Sequence, residues 1–167
     1  MSKNKTRSTV AYHEAGHAVI ARVQGIECHG VLMFPPLGTA GAAGTMTKRA
    51  TTTLARDAER ATVLAAIRKD IIVNLAGPCS EAKYHKPRQK YPDQWKHDHK
   101  SAEARAIWAA LVATGVDLDS LTRNPDGHIN LSAEQAAFVI DLLQQCRDAV
   151  SNLVDEHWPP SSAWRKL

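Results

Sequence analysis

The chain has 167 residues, 44% of them apolar and 23% charged, enough to fill one sizeable core within a single domain covering 1–167. Its 21 Lys and Arg against 17 Asp and Glu leave a formal charge of +4, too small for a nucleic-acid-wrapping surface and too balanced for an acidic disordered tail. Three widely spaced cysteines, Cys28, Cys79 and Cys146, make neither a thiolate metal site nor a disulfide scaffold, which fits a reducing compartment.

No apolar run approaches the roughly 18 residues that span a bilayer, and the basic start MSKNKTR leads into Tyr12, His13 and Glu14 instead of a signal-peptide core. The expectation is a cytoplasmic protein without membrane insertion. The first helix is predicted over Ser8 to Gln24, with Gly25 as its stop. On a helical wheel with His13 at zero, His17 falls at about 40° and Glu14 at about 100°, whereas Tyr12, Ala15, Val19 and Val23 gather between about 200° and 280°. That second group reads as the core stripe. Small Gly16 and Ala18 beside the polar trio leave room for another element to approach closely.

Ile26 to Met46 contains a short extended run, GVLMF, then Pro35, Pro36 and several glycines, the pattern of a strand, a loop and a returning strand. A long helix is expected from near Leu54, capped by Thr51, Thr52 or Thr53, with Val63, Leu64, Ile67, Ile71, Ile72 and Leu75 at helical spacing. Gly77 and Pro78 either end it or kink it through SEAKYH. A loop is expected near 83–100, where prolines and lysines concentrate, before a helix that starts near Asp98 or Ser101 and stops at Gly115. A second loop is expected near 116–131. Ser132 and Gln135 then form a capping box for a last helix that runs to about Glu156. The fold class is mainly α, with a small β-hairpin or short strands after the first helix.

The chemistry concentrates in His13, Glu14, Ala15, Gly16 and His17. Two imidazoles one helical turn apart with a carboxylate beside the first form the HExxH arrangement of zinc hydrolases, which this composition yields by chance only about 0.016 times. His13 and His17 supply two nitrogen donors to the metal. Glu14, offset around the helix, serves as general base toward a metal-activated water and as proton shuttle to the leaving amine. The third ligand is not chosen by spacing: Asp98, Glu81, Asp93, His97 and His99 all qualify chemically.

The string VAYHEAGHAVIA closely resembles the active-site helix of the FtsH-type ATP-dependent zinc metalloproteases. Further on, IIVNLAGPCSEAKYH resembles that family's LLGGRAAEE segment, and HDHKSAEARAI its SNDLKKATEIAR segment. The resemblance covers residues 8 to 114. It implies an FtsH-like zinc peptidase domain, mainly helical, acting as a zinc metalloendopeptidase on a peptide or unfolded protein substrate. It also implies that the third ligand is an aspartate four residues before an alanine, which falls on Asp98 ahead of Ala102. Family members act as rings, so a homo-oligomer is implied. Since no GxxxxGK[ST] string occurs, coupling to ATP has to come from a separate ATPase partner. The chain departs from the family at Gly77 and Pro78, at Ala82 beside the retained Glu81, and in the string KYPDQWKH. The alternative function is a zinc-stabilised, peptidase-like binding or regulatory module with little turnover.

Other features have plainer readings. The basic and aromatic stretch from Lys83 to Lys100 reads as a solvated loop beside the site, with no nucleic acid as partner. Asp117, Asp119, Asn124 and Asp126 miss the calcium-loop spacing and read as turn formers. The cysteines read as small hydrophobes, although Cys28 beside His29 also admits a nucleophile. Trp108 and Trp158 read as helix-packing residues.

Overall fold

The computed structural model describes residues 3–32, 44–55, 57–85, 93–116 and 129–158. Within them α1 spans Lys3–Val23, β1 Cys28–Leu32, β2 Gly44–Thr47, a 3-10 turn Ala50–Thr53, α2 Arg60–His85, α3 Asp93–Thr114 and α4 Ala133–His157. The fold is mainly helical, with the antiparallel β1–β2 hairpin after the first helix. His29 is the extra residue of a bulge in that hairpin, because Cys28 pairs with Thr47 and Gly30 with Met46.

Helix α2 is the central element and packs against α1, α3 and α4. A helix surrounded on three sides needs apolar residues all round, and α2 provides them in Ile67, Ile71, Ile72, Val73, Leu75 and Ala76. Helix α3 meets it through Ala102, Ala106, Ala109 and Ala110, whose small side chains allow a close approach. Cys146, Val150 and Val154 of α4 and Ile20 of α1 complete the same core.

The glycine stops act as the sequence implies. Gly25 has φ 70° and Gly115 φ 67°. Ile26 N–H donates to the Ala21 carbonyl at 2.8 Å and Val116 N–H to the Leu111 carbonyl at 3.1 Å, so both helices end in the left-handed cap that glycine adopts without strain. The Ser132 capping box is present, with Gln135 N–H donating to Ser132 Oγ at 3.2 Å and Ser132 N–H to Gln135 Oε1 at 2.9 Å. Buried Gln135 also donates through Nε2 to Thr114 Oγ1 at 2.9 Å, tying the start of α4 to the end of α3.

Three expectations are corrected. Helix α1 does not bury the Tyr12–Ala15–Val19–Val23 stripe most deeply. His13, Glu14, Gly16 and Ile20 are buried, whereas Val23 is 38% exposed. The reason is Gly16, where a Cβ would strike Ser80 and, at 2.7 Å, the Ala76 carbonyl, so α2 crosses on that face. Tyr12 instead meets Trp158, with ring centroids 5.7 Å apart. Helix α2 starts at Arg60, not near Leu54, because Asp70 draws the threonine stretch into the 3-10 turn. Its carboxylate accepts from Ala50 N–H at 2.7 Å and Thr51 Oγ1 at 2.8 Å. Of the two outcomes expected at Gly77 and Pro78, the stop does not occur and continuation through SEAKYH does, since α2 runs on to His85. Finally, α3 begins at Asp93, so Lys83 and 93–100 are helical and Asp98 lies inside the helix instead of at its start. No glycine or proline stands between Asp93 and Gly115 to interrupt it. The rest of that loop, the expected loop over 117–128 and the sequence after Trp158 lie outside the described residues.

Candidate metal centre

Helices α1, α2 and α3 bring six chemically distinctive side chains to one place. His13 and His17, one turn apart on α1, face the same way across α2. Gly77 of α2 lies directly beneath them. A Cβ there would overlap His17 Nε2 and sit 2.7 Å from His13 Nε2, so only glycine lets the helix pass under the two rings. Asp98 arrives from the second turn of α3. His13 Nε2, His17 Nε2 and Asp98 Oδ2 then converge, the one group of three metal-ligating side chains found among the described residues.

The hydrogen bonds decide where the lone pairs point. His17 Nδ1 lies 2.7 Å from the Val73 carbonyl, which can only accept, so the imidazole proton sits on Nδ1. His13 Nδ1 lies 3.1 Å from Glu81 Oε2 and carries its proton for the same reason. In the neutral rings both Nε2 atoms are then left as acceptors, free to bind a proton or a metal ion. They stand 3.2 Å apart, with Asp98 Oδ2 at 2.8 Å from one and 3.6 Å from the other. Asp98 Oδ2 is fully buried and has no aligned hydrogen-bond donor. Three electron-rich atoms so placed repel one another unless a proton or a metal cation lies between them.

Zinc fits that point. Four-coordinate zinc with bonds of about 2.0–2.1 Å has ligand-to-ligand edges of about 3.3 Å, and the separations of 2.8, 3.2 and 3.6 Å bracket that value. Two imidazoles and a carboxylate form the donor set of a borderline divalent ion.

The electrostatics point the same way. Burial pulls the His13 imidazole down, but its contacts with Asp98 and Glu81 and the charges of Asp98 and Glu14 outweigh that and hold it up at about 9. Burial pushes the Asp98 carboxyl up, yet the polar contacts and charges of His13 and His17 prevail and hold it at about 2. The cluster is built to stabilise positive charge.

Around these three groups stand residues that orient them. Glu81 backs His13 and also accepts from the buried Trp95 Nε1–H at 2.6 Å. The same carboxylate was a rival for metal ligation on sequence grounds, and here it faces the far side of the imidazole. Glu14 is 8% exposed. Thr45 Oγ1 of β2 lies 2.8 Å from both Glu14 Oε2 and the Glu14 backbone carbonyl. Glu14 thus lies beside the three candidate ligands and belongs to a different hydrogen-bond network. His97 lines the adjoining cleft without joining the group of three. His99 also stands outside that group, and burial together with Arg147 lowers its pKa against the pull of Asp98. The side chain of Asp93 lies outside the described residues.

Sequence reasoning missed Thr45, Trp95 and the Val73 carbonyl. Thr45 was one threonine among many. Trp95 was grouped with the basic loop, although its position three residues before Asp98 already places both on one helical face. A backbone carbonyl carries no sequence signal. The basic stretch is likewise reassigned where it is described: Trp95 points inward, and Lys83 pairs with Asp155 and the Val154 carbonyl. Cys146 is buried and Cys28 and Cys79 are partly so, all three as free thiols.

The chain matches no known protein family and no curated protein. The site therefore rests on its own geometry, and a His13-Glu14-x-x-His17 motif joined by Asp98 is consistent with a metallopeptidase-like active site. No helix among the described residues is long and apolar enough to cross a membrane.

Proposed function

We propose that this chain is a zinc-dependent metalloendopeptidase of the FtsH-like kind, with His13, His17 and Asp98 as ligands and Glu14 as general base. The observation that carries the reading is the convergence of two Nε2 lone pairs and one buried carboxylate oxygen, with both Nδ1 protons held elsewhere. When bound, zinc supplies the Lewis acidity that polarises a peptide carbonyl and makes water a competent nucleophile near neutral pH.

The protein's own residues perform the remaining steps. Glu81, held by Trp95, keeps His13 in the tautomer that presents Nε2. The Val73 carbonyl does the same for His17. Glu14 takes a proton from the attacking water and returns it to the leaving amine nitrogen. Thr45 suits both stages of that transfer. Its hydroxyl donates to Glu14 Oε2 when the carboxylate is charged. When Glu14 holds the proton, the hydroxyl turns to the backbone carbonyl and accepts from the acid.

The test is a pair of substitutions measured for both metal content and peptide hydrolysis. Protein purified without chelators is expected to hold about one zinc per chain. Glu14→Gln is expected to abolish hydrolysis with zinc retained, whereas Asp98→Ala loses both. Zinc-free wild-type protein, or undiminished turnover in Glu14→Gln, rejects the assignment. Full zinc occupancy with no cleavage across a broad peptide library favours the non-catalytic module instead.

A further inference from the structure

Beside the metal centre lies an open cleft of about 880 Å³ with two walls. One wall is the face of α3 that carries Asp98, Ser101, Arg105 and Trp108, spaced three or four residues apart. The other begins at Thr45, beside Glu14, and continues along β2 and past its end to Arg49, whose backbone is still extended. Seven residues of helix separate Asp98 from Arg105, an axial distance of about 10.5 Å. Four residues of extended chain take the second wall roughly 13 Å from Thr45. Each wall thus leads from the reaction centre to a guanidinium, and the two guanidinium groups are close enough to repel.

Their surroundings leave these cations with binding capacity. Arg105 is anchored by Asp70, with Nη1 3.5 Å from Oδ2 and a side chain only 14% exposed. That contact is long, because the Asp70 carboxylate is already engaged by Ala50 and Thr51. Most of the five donors of Arg105 are thus not spent on Asp70. Among the described residues Arg49 has no carboxylate partner. Burial pulls the Arg105 pKa down, Asp70 opposes this and Arg49 reinforces it. An anion seated between the two guanidinium groups would relieve the repulsion.

Resting on the peptidase reading, we propose that Arg49 and Arg105 form a carboxylate subsite that selects peptides with an acidic group about three to four residues from the scissile bond. The spacing follows from the walls, since an extended peptide advances about 3.3–3.4 Å per residue. The carboxylate is either an Asp or Glu side chain or the free C-terminus, and the recognition chemistry is the same for both.

The experiment uses internally quenched peptides in which Glu or Gln is scanned through four positions on each side of the cleaved bond. A matched pair carries a free or amidated C-terminus. The zinc-loaded protein is expected to favour Glu over Gln in kcat/KM by about tenfold at one position about three to four residues out, the size of one charge-assisted hydrogen-bonded pair. Preference for the free over the amidated peptide in place of an internal position assigns the subsite to the C-terminus. The Glu/Gln ratio is expected to fall to near one in Arg49→Gln, and Arg49→Glu to favour Lys at that position. Arg105→Gln leaves buried Asp70 without its cation and lowers stability, so exposed Arg49 carries the test. Equal cleavage of Glu and Gln peptides at every position, or a preference unchanged in Arg49→Gln, overturns the proposal. Fluorescence anisotropy with the same peptides on zinc-loaded Glu14→Gln reads the preference without turnover. A carboxylate preference there that Arg49→Gln removes keeps the subsite even if no peptide is cleaved, and its absence rejects the subsite independently of the peptidase assignment.

Discussion

On the proposed reading, the two imidazoles on α1 can serve as ligands only because other residues keep their protons on Nδ1. Trp95 is the least obvious of these. Its Nε1–H and the His13 Nδ1–H share Glu81 Oε2. Trp95→Phe keeps an aromatic ring at this position and removes that donor, so Glu81 and His13 lose part of their orientation. Zinc affinity is expected to drop by about 10- to 100-fold, measurable by competition with a chromophoric chelator. Thr45 gives a second prediction at this scale. Thr45→Val is expected to lower kcat by about tenfold, less than the roughly 100-fold or more of a lost general base because Thr45 only assists Glu14, with zinc content unchanged and with recovery in Thr45→Ser. Equal kcat in Thr45→Val and wild type removes Thr45 from the proton path.

The crossing of α1 over α2 depends on two glycines with separable roles. At Gly16 the space that a Cβ would need is filled by Ser80 and the Ala76 carbonyl, and a backbone group cannot yield cheaply. Gly16→Ala is expected to destabilise the fold by about 1–3 kcal/mol through overpacking, read as a lower denaturation midpoint with unchanged slope. At Gly77 the obstructed atoms are the ligand nitrogens themselves. Gly77→Ala is expected to displace the rings and abolish zinc binding while the helical circular dichroism persists. If Gly77→Ala binds zinc as wild type does, the close packing of α2 under the site is not what sets its geometry.

Across the whole molecule, the site couples metal, protons and stability. Without metal, His13 is raised from 6.5 to about 9 and Asp98 lowered from 3.8 to about 2. A raised imidazole contributes stability that is complete below 6.5 and lost as pH rises through about 9. A lowered carboxyl contributes stability that is present above 3.8 and lost as pH falls through about 2. The metal-free protein is therefore expected to be most stable between about pH 4 and 6.5 as far as these two groups decide it. Zinc replaces the His13 proton, so its apparent affinity is expected to rise with pH toward 9. Zinc titrations at pH 7.5 in buffers of different ionisation enthalpy should register proton release. Thermal unfolding with and without zinc should show the stabilisation by metal widening from pH 6.5 to 9. A pH-independent difference is incompatible with a protonated His13 in the metal-free site.

Much of this was legible in local sequence because the causes are local. Gly25, Gly115 and the Ser132–Gln135 capping box stop or start helices through bonds made within six residues, and one turn of helix is enough to put His13 and His17 side by side. Glu14 follows from the same turn. Choosing Asp98 over Glu81, His97 or His99 needed a family resemblance, since spacing along the chain did not separate them. What only the tertiary structure decided is which face of α1 is buried and which atoms meet across helices. Helical periodicity ranks faces by side-chain hydrophobicity, but here the closest contact is set by the absence of a side chain at Gly16 and Gly77. The same holds for the pairing of Trp95 with Glu81, of Thr45 with Glu14 and of Asp70 with Arg105, each between residues at least 14 positions apart. Such contacts depend on the path of the backbone through space, which no single segment encodes.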